Sequence, residues 1–310
     1  MRLVERTAFA LLLLLALAFP FLAEGYAVFQ ATMVLSYAVA LLGLNILTGY
    51  NGQISLGHGA FYALGAYTAA ILMDRFGLPY WATIPAAGAV CLVAGVLFGL
   101  PALKLEGLYL ALATFALGVA MPQLLKYKHL EPWTGGVQGL VLAKPDAPFG
   151  LPLTQDQWLY LFALAVVVIL FALARNLLHS GAGRAIVAIR DHPLAAQAMG
   201  IDNRRYKAGA FGISAMYTGI GGALSAIAVQ FVAPDSFTMF LSISLLVGVV
   251  VGGVGTLSGA LYGALFIVFV PTAAEKITQS APWAIYGVVL ILFVFVMPGG
   301  VARLLLRRQR

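Results

Sequence analysis

The topology of this chain depends on one charged stretch, which runs from Arg175 to Lys207 and reads RNLLHSGAGRAIVAIRDHPLAAQAMGIDNRRYK. It is the only long charged run between hydrophobic segments, and its Lys and Arg residues clearly outnumber its aspartates. Lys and Arg concentrate in the cytoplasmic loops of membrane proteins. Residues 176–206 are therefore predicted to form a loop on the cytoplasmic side.

A short helix is predicted within this loop. Asp191 can cap its start, Pro193 suits its first turn, and Gly200 can end it. The residues of its apolar face are Leu194, Ala195, Ala198 and Met199. Because an apolar face outside the membrane is unfavourable in water, we expect another protein surface to cover it.

The composition is that of an all-α polytopic integral membrane protein. Of the 310 residues, 62% are hydrophobic and only 9% are charged, with a mean hydropathy of +0.97, whereas soluble domains carry about 25% charged residues. The net charge of +7 is spread over span ends and loops, which favours lipid rather than nucleic acid as its partner. The single cysteine, Cys91, allows no internal disulfide, and no Cys/His cluster indicates a metal or another cofactor.

The hydrophobic runs predict about 8–10 membrane segments, some of them broken or re-entrant, with both termini in the cytoplasm. Thirteen of the eighteen Lys and Arg residues then lie inside. The first run, Thr7 to Ala23, has features of a signal peptide but is also just long enough to cross a bilayer. We interpret it as a retained first span because further spans follow.

The stretch from Gly49 to Met73 is rich in glycine where a helix is expected. Such a helix start is either broken or closely packed, since glycine destabilises helices and allows close contact between them. Non-helical backbone at membrane depth is tolerated only against protein or a water-filled cavity. If the segment is broken, it is a candidate pathway for a transported molecule, with the residues Asn51, Gln53, Ser55, Gly57, His58 and Gly59.

A second glycine-rich interruption, Gly252 to Gly259, divides the long hydrophobic run from Phe240 to Val270. As one span, this run would place the arginine-rich C-terminal tail outside. As two short helices that enter and leave on the same side, it places the tail inside, which is the arrangement we prefer. Broken segments in both halves of a chain often mark the central site of a transporter.

The deep segments contain no unambiguous charged residue, which disfavours a proton- or sodium-coupled carrier. There is no phosphate-binding GxxxxGK[ST] motif either, so any ATP must be bound by another chain. Neither a paired acid nor a nucleophile with its base points to an intramembrane enzyme, and we name no catalytic residue. A transport subunit or a stand-alone channel remains.

Four stretches resemble the branched-chain amino-acid permeases of bacterial ABC importers, specifically the second of two paired membrane subunits. They are GYNGQISLGHGAFYALGAYTAAIL, LEGLYLALATFALG, TGGVQGL and GRAIVAIRDHPLAAQAMGID. The resemblance implies a homologous second permease subunit, two ABC ATPase subunits and an extracytoplasmic substrate-binding protein as partners. It also implies a multi-pass protein of the bacterial plasma membrane, the inner membrane, that moves branched-chain or related hydrophobic amino acids.

The resemblance assigns roles to two groups of residues. In this interpretation residues 1–310 form one transmembrane permease domain, 176–206 are its coupling loop, and 126–157 are an extracytoplasmic loop. The predicted ATPase-coupling residues are Arg190, Asp191, Pro193, Leu194, Ala195, Ala196, Met199 and Gly200. Thr134, Gly135 and Gly136 would join the pathway nearer the outside. Taken singly, each arginine of the loop could instead serve only topology and lipid contact.

This sequence departs from the family pattern at two places. Leu194 stands where the general ABC coupling motif has Glu, and Val137 with Gln138 follows the Thr-Gly-Gly of the outer loop, where a polar residue and Asp are common. The second departure leaves the substrate open, since members of the family also serve urea, short amides and other amino acids. A homomeric or heteromeric permease pair and the resting conformation are open as well.

Overall fold

The computed structural model describes residues 3–103, 105, 107–277, 282–297 and 299–307. The helices are α1 Leu3–Leu22, α2 Gly25–Asn45, α3 His58–Phe76, α4 Tyr80–Ala102, α5 Leu108–Leu125, α6 Glu131–Thr134, α7 Gln155–His179, α8 Gly181–Asp191, α9 Pro193–Ala198, α10 Asn203–Val229, α11 Met239–Gly252, α12 Gly259–Ile277, α13 Pro282–Val296 and α14 Gly300–Arg307. A π-helical turn, Ile46–Tyr50, continues α2, and short 3₁₀ turns span Pro148–Gly150 and Pro234–Phe237. The strands β1, Leu140–Val141, and β2, Phe231–Val232, pair antiparallel.

The prediction of an all-α polytopic membrane protein is confirmed. Within the described residues, five helical segments are long and apolar enough to cross a membrane. They are Gly25–Tyr50, Tyr80–Ala102, Leu108–Leu125, Gln155–His179 and Asn203–Val229. Two shorter apolar helical stretches are Leu11–Leu22 and Met239–Gly252. The count of 8–10 segments, the retention of the first span and the orientation of the termini stay predictions.

Helix α10 lies at the centre of the bundle and packs mainly against α2, α3 and α4. Its contact faces are made of small residues, so backbones approach closely. Gly65 of α3 and Gly219 of α10 face each other, and a Cβ on Gly65 would collide with the Gly219 carbonyl. Small residues at helix contacts are the usual way for membrane helices to pack tightly.

The residues predicted to lie on the outer side of the membrane and those predicted to lie on the inner side are found at opposite ends of the bundle. At one end, Lys126 forms an ion pair with Asp235, and β1 joins the 126–157 loop to the end of α10 through Leu140 and Val232. At the other end lie the two glycine-rich interruptions and Arg190. We call the second end the cytoplasmic end because the basic loop predicts that orientation, which stays a prediction.

The segment 176–206 is more helical than predicted. Helix α7 extends to His179, and α8 follows it after a cap in which the Ser180 hydroxyl accepts from the Gly183 amide at 3.4 Å. The apolar side of α8 is buried, with Ile186 and Ile189 at 2% and 1% exposure. The sequence contains both signals of α8, a serine that can cap the helix and apolar residues three positions apart, although the charged stretch as a whole is predicted to be a loop.

The proposed cap of the short helix was wrong. Asp191 is the last residue of α8, and His192 occupies the position before α9 without a side-chain cap. Asp191 instead accepts from Nε of its neighbour Arg190 at 2.9 Å. Since Pro193 has no amide hydrogen to cap, its position at the start of α9 reduces the need for a capping side chain.

The run from Phe240 to Val270 forms two helices, as the second arrangement predicted. Helices α11 and α12 pack against each other, and residues 253–258 connect them through Gly253 and Gly255, which both have positive φ. Helix α14 packs beside this turn, where Gly300 approaches Gly253. The last apolar helix, α13, ends at Val296. The C-terminal arginine-rich region thus begins at the same end as the turn.

Candidate translocation site and coupling surface

The first glycine-rich stretch is broken, as predicted. Helix α2 ends in the π turn, residues 51–57 are non-helical, and α3 begins at His58. Gly52 adopts a positive φ of 75°, which residues with a side chain rarely adopt. The predicted pathway residues divide into an outer group, Ser55 to Gly59, and an inner group, Asn51 and Gln53.

In the outer group, His58 is fully buried in a saturated hydrogen-bond network. Its Nδ1 lies 2.8 Å from Ser55 Oγ, and its Nε2 lies 2.7 Å from Ser214 Oγ on α10. The Ser214 hydroxyl donates to the Gly43 carbonyl, so it must accept from Nε2, and the Nδ1 atom accepts from Ser55. The neutral imidazole therefore links the broken segment to α2 and α10 and has no remaining hydrogen-bonding group for a passing molecule.

The glycines of the outer group pack against neighbouring helices. The Gly59 amide donates to Ser242 Oγ at 3.0 Å, and a Cβ at this position would lie only 2.5 Å from the same oxygen. A Cβ on Gly57 would collide with the Thr114 carbonyl of α5. Of the two interpretations that the sequence left open, close contact describes Gly57 and Gly59. We call the layer of residues Ser55, Gly57, His58, Gly59, Thr114, Ser214 and Ser242 the closed layer.

The inner group lines a cavity of about 190 Å³ at the cytoplasmic end. Asn51 is only 3% exposed, and neither its Nδ2 nor its Oδ1 has a hydrogen-bond partner among the described residues. In the same part of the chain, Nε2 of Gln53 also has none. We call this space the inner cavity; its lining is Asn51, Gly52, Gln53, Ala102, Leu103, Leu105, Gly107, Leu110, Ile189, Arg190, Pro193 and Lys207.

A second cavity, of about 150 Å³, lies at the outer end. Tyr37 and Tyr62, whose rings stack 5.6 Å apart, line it together with Ser225 and Phe237. Along α10, Lys207 marks the inner cavity, Ser214 the closed layer and Ser225 this outer cavity. At 1.5 Å per helical residue these levels are separated by roughly 10 and 16 Å. The closed layer thus lies between the two cavities.

The outer-loop residues Thr134, Gly135 and Gly136 form a turn in which Thr134 and Gly136 are buried. The Thr134 hydroxyl donates to the Leu125 carbonyl at 2.8 Å, and it accepts from the Gly136 amide. Both glycines have positive φ, as the turn requires. These residues hold the loop on the end of α5, and the structure does not bring them to the broken segment. Their place in a pathway stays a prediction.

The two interrupted segments meet at the cytoplasmic end, a contact that sequence reasoning missed. Asn45, which is 1% exposed, donates from Nδ2 to the Thr256 carbonyl at 2.7 Å and accepts at Oδ1 from the Gly255 amide at 2.8 Å. The Gly49 carbonyl accepts from Nη1 of Arg190 at 2.8 Å. Arg190 thereby links the cytoplasmic helices to both interruptions, since Gly255 lies beside Gly49.

Helix α9 presents its apolar face to the outside of the molecule. Leu194 and Met199 are 83% and 84% exposed, and Ala195 and Ala198 are exposed as well. Ala196 is buried at 4% exposure, so it supports the helix from below rather than offering a contact surface. Gly200, with φ of 83°, follows the end of the helix. Among the described residues, no group of three His, Cys, Asp or Glu could hold a metal ion.

Residues 26–297 match the family described as "Branched-chain amino acid transport system / permease component". The chain is 33% identical to the high-affinity branched-chain amino acid transport system permease protein LivM of Escherichia coli, over 92% of this chain and 72% of that protein. It is 25% identical to a probable branched-chain amino acid transport permease protein, LivH, of Methanocaldococcus jannaschii, over 87% and 88% of the two chains. It is also 31% identical to the autoinducer 2 import system permease protein LsrC of an Enterobacter species, over 57% and 53%. The chain belongs to the family of permease components of branched-chain amino acid transport systems.

Proposed function

We propose that this chain is the membrane-spanning subunit of an ATP-binding-cassette importer that moves branched-chain amino acids inward across the bacterial plasma membrane. Its partners would be a homologous permease subunit, two ATPase subunits and an extracytoplasmic substrate-binding protein. The chain itself would hydrolyse no ATP. The family supports the permease role, and the structure supports the coupling to separate ATPases.

The exposed apolar face of α9 carries this proposal. Leu194 and Met199 present large side chains to water on a helix of only six residues, although Ala196 and α8 hold the helix in place. A helix that inserts its apolar face into a groove is a common mode of protein recognition. An ATPase subunit that binds this face in a groove would contact the chain at one defined place.

Arg190 connects this point to the membrane part. It stands at the end of α8, one short turn before α9, and its guanidinium binds both Asp191 and the Gly49 carbonyl. Displacement of α9 by an ATPase would pull on the π turn, and through Asn45 on the turn between α11 and α12. Rigid-body displacement at an interface is one of the established ways in which such switches operate.

The pathway would pass from the outer cavity through the closed layer to the inner cavity. Ser55, Gly57, His58 and Gly59 would then act as the barrier in this conformation, while Asn51 and Gln53 face the passage on the inner side. Most of the barrier residues are small and pack closely, and the hydrogen-bonding groups of His58 are all paired, so the closed arrangement is stable. Movement of the segment that Arg190 holds would be required to open it.

A second substrate class is supported by one comparison. The relative from Enterobacter is named as an autoinducer 2 import permease, so sequences related to this one serve substrates other than amino acids. Urea, short amides or other amino acids are the alternatives for this chain. A stand-alone channel or secondary carrier is the less favoured alternative, since neither would need the exposed face of α9.

The decisive experiment changes the exposed face of α9. Leu194→Asp and Met199→Asp should each weaken co-purification of the chain with its candidate ATPase by at least about tenfold, because a charge would be buried in an apolar groove. ATP-driven leucine uptake into vesicles that contain the full complex should fall in parallel. Gln197→Asp, which places the same charge on the other side of α9, is the matched control and should preserve both.

Normal ATPase binding and uptake by both α9 variants would contradict the coupling role. Leucine uptake by this chain without ATP would instead establish the channel or carrier. Competition with urea, acetamide and other amino acids in the same vesicles would decide the substrate class.

A further inference from the structure

The inner cavity contains polar groups that no described contact explains. Asn51 offers both a donor and an acceptor, and Nε2 of Gln53 offers a second donor; none of these atoms has a partner among the described residues. A buried polar group without a hydrogen bond is costly, and native proteins retain few of them. Both side chains line one wall of the same cavity. An unpartnered amide that faces a cavity points to a ligand.

The residues that line the cavity are of two kinds. Arg190 and Lys207 add positive charge beside Asn51 and Gln53, whereas Leu103, Leu105, Leu110 and Ile189 form the apolar part. The guanidinium of Arg190 and the amide groups can receive a carboxylate, and Oδ1 of Asn51 can accept from an ammonium group. The leucine and isoleucine side chains suit an apolar side chain. This arrangement matches a free amino acid that is zwitterionic at one end and apolar at the other.

Size and access support the same class of ligand. The volume of about 190 Å³ is smaller than the roughly 300–1,000 Å³ of pockets for drug-sized ligands, which restricts the occupant to about the size of one amino acid. Gly52, Gly107 and Pro193, on the rim, are exposed. The cavity therefore opens at the cytoplasmic end, beside α9.

We infer that the inner cavity binds an apolar α-amino acid from the cytoplasmic side and that its occupancy slows the transport cycle. The inference rests on the proposed function, because it makes the transported product the inhibitor. It goes beyond that function in two ways. It assigns an amino-acid-binding site to the cytoplasmic side of the closed layer, and it assigns a regulatory effect to the occupancy of that site.

The position of the cavity gives the physical basis of the effect. Its walls come from the broken segment, from α8 and α9, and from the start of α10. A ligand that contacts Asn51 and Arg190 together bridges the membrane part and the cytoplasmic helices. Because the bridge exists only while these elements keep their present separation, binding favours this conformation over one in which they have moved apart. High internal amino acid would thus hold the closed layer closed.

Site-directed labelling tests binding and its sidedness. The single native cysteine, Cys91, is buried, so a cysteine introduced as Leu103→Cys reports on the inner cavity. In inside-out vesicles that contain the complete transporter, L-leucine at ten times its Kd should slow labelling by a membrane-impermeant maleimide about tenfold. Arg205→Cys, at an exposed cytoplasmic position, is the matched control and should label at the same rate with and without leucine.

Two substitutions then identify the groups that bind. In the Leu103→Cys chain, Asn51→Leu and Gln53→Met should raise the leucine concentration needed for protection about ten- to a hundredfold and about tenfold, respectively. Tyr62→Phe, which removes a hydroxyl from the outer cavity, should leave protection unchanged. Loss of protection with Tyr62→Phe but not with Asn51→Leu would place the ligand in the outer cavity and overturn the inference. Thermal unfolding of each variant shows whether the chain is folded.

Ligand analogues distinguish an amino-acid site from a general anion site. Leucine should protect, whereas isoamylamine, which lacks the carboxylate, should not. Equal protection by inorganic phosphate would show an anion or lipid-headgroup site and overturn the inference. Internal leucine should also slow ATP-driven uptake in wild-type vesicles more than in Asn51→Leu vesicles. If uptake occurs but labelling is never protected, only this inference fails; if protection occurs without ATP-driven uptake, the proposed function and the regulatory effect fail, and only the binding site stands.

Discussion

The outer and inner halves of the broken segment contain similar residues but are built differently. Ser55 and His58 are buried and paired with each other, and His58 also bonds to Ser214 of α10, which in turn donates to the Gly43 carbonyl of α2. Asn51 is buried to nearly the same degree, yet its amide has no partner within the described chain. The difference teaches that polarity in a glycine-rich membrane segment does not by itself indicate a pathway. Only unpaired groups beside a cavity are available to a ligand.

The largest effect is expected from a small change in the closed layer. Gly57→Ala places a methyl group against the Thr114 carbonyl, so the broken segment must shift away from α5. Overpacking typically costs about 1–3 kcal/mol and occasionally more, and because the neighbour here is backbone, which relaxes less than a side chain, we expect a loss above about 4 kcal/mol. We expect a several-fold lower yield of folded protein in size-exclusion chromatography of detergent extracts.

Gly209→Ala provides the matched control. A Cβ on Gly209 of α10 meets nothing within 4 Å, so the substitution should preserve the yield and could add up to about 1 kcal/mol of helix stability. Equal yields of the two variants would show that the closed layer has room to adjust.

The next effect concerns the histidine network. His58→Leu removes both imidazole contacts and leaves the hydroxyls of Ser55 and Ser214 buried with fewer partners. At about 1–3 kcal/mol for each unsatisfied group, we expect a loss of roughly 2–4 kcal/mol and a clearly lower midpoint of thermal unfolding. The triple variant Ser55→Ala/His58→Leu/Ser214→Ala should recover part of the loss. A normal midpoint for His58→Leu alone would contradict the network.

A third prediction compares two buried asparagines: Asn45, whose amide is hydrogen-bonded, and Asn51, whose amide has no partner among the described residues. Asn45→Leu breaks the contacts with the Gly255 amide and the Thr256 carbonyl and should destabilise the chain by about 2–3 kcal/mol. Asn51→Leu breaks no described hydrogen bond and should be neutral or stabilising by up to about 1 kcal/mol. Thermal unfolding of the two variants measures the contrast directly. Destabilisation by Asn51→Leu equal to that by Asn45→Leu would mean that Asn51 has a structural role.

The smallest effect is expected at Arg190. Arg190→Lys keeps the charge, but an ammonium group cannot hold Asp191 and the Gly49 carbonyl in the same geometry. A loss of about 1 kcal/mol in this link corresponds to a roughly fivefold lower uptake rate, with ATPase co-purification preserved. Uptake at the wild-type rate would show that coupling does not pass through Arg190.

Much of the architecture could be predicted because it follows from local rules. The glycine-rich stretch Gly252 to Gly259 predicted the turn between α11 and α12, and the broken start of α3 follows from its glycines; the sides of the membrane, which the basic residues predict, stay a prediction. Helix α8 was missed although Ser180, Ile186 and Ile189 indicate it, because the charged context of the stretch was given more weight. A capping residue is the usual signal for a helix start and points to Asp191, but α9 begins with Pro193, which removes one of the amides that a helix start leaves unpaired.

The site could be predicted only in part, because partners distant in sequence decide it. His58 and Ser214 are separated by 156 residues, and no periodicity shows that they meet. The same holds for Asn45 and Gly255, and for Arg190 and Gly49. The sequence therefore predicted which segment is broken, but it did not predict which of its polar groups are hydrogen-bonded within the chain.

The pairing of β1 with β2 has a mechanical consequence. It ties the 126–157 loop, which is predicted to be extracytoplasmic, to the far end of α10, whose 27 residues form a rod of roughly 40 Å. The near end of the same rod begins at Asp202, just after α9, so one stiff lever connects the two faces of the membrane. A tilt of this rod about its middle would move its two ends in opposite directions. If such a tilt lets a ligand bound at one end change the affinity for a ligand at the other, thermodynamic reciprocity requires the second ligand to change the affinity for the first by the same factor.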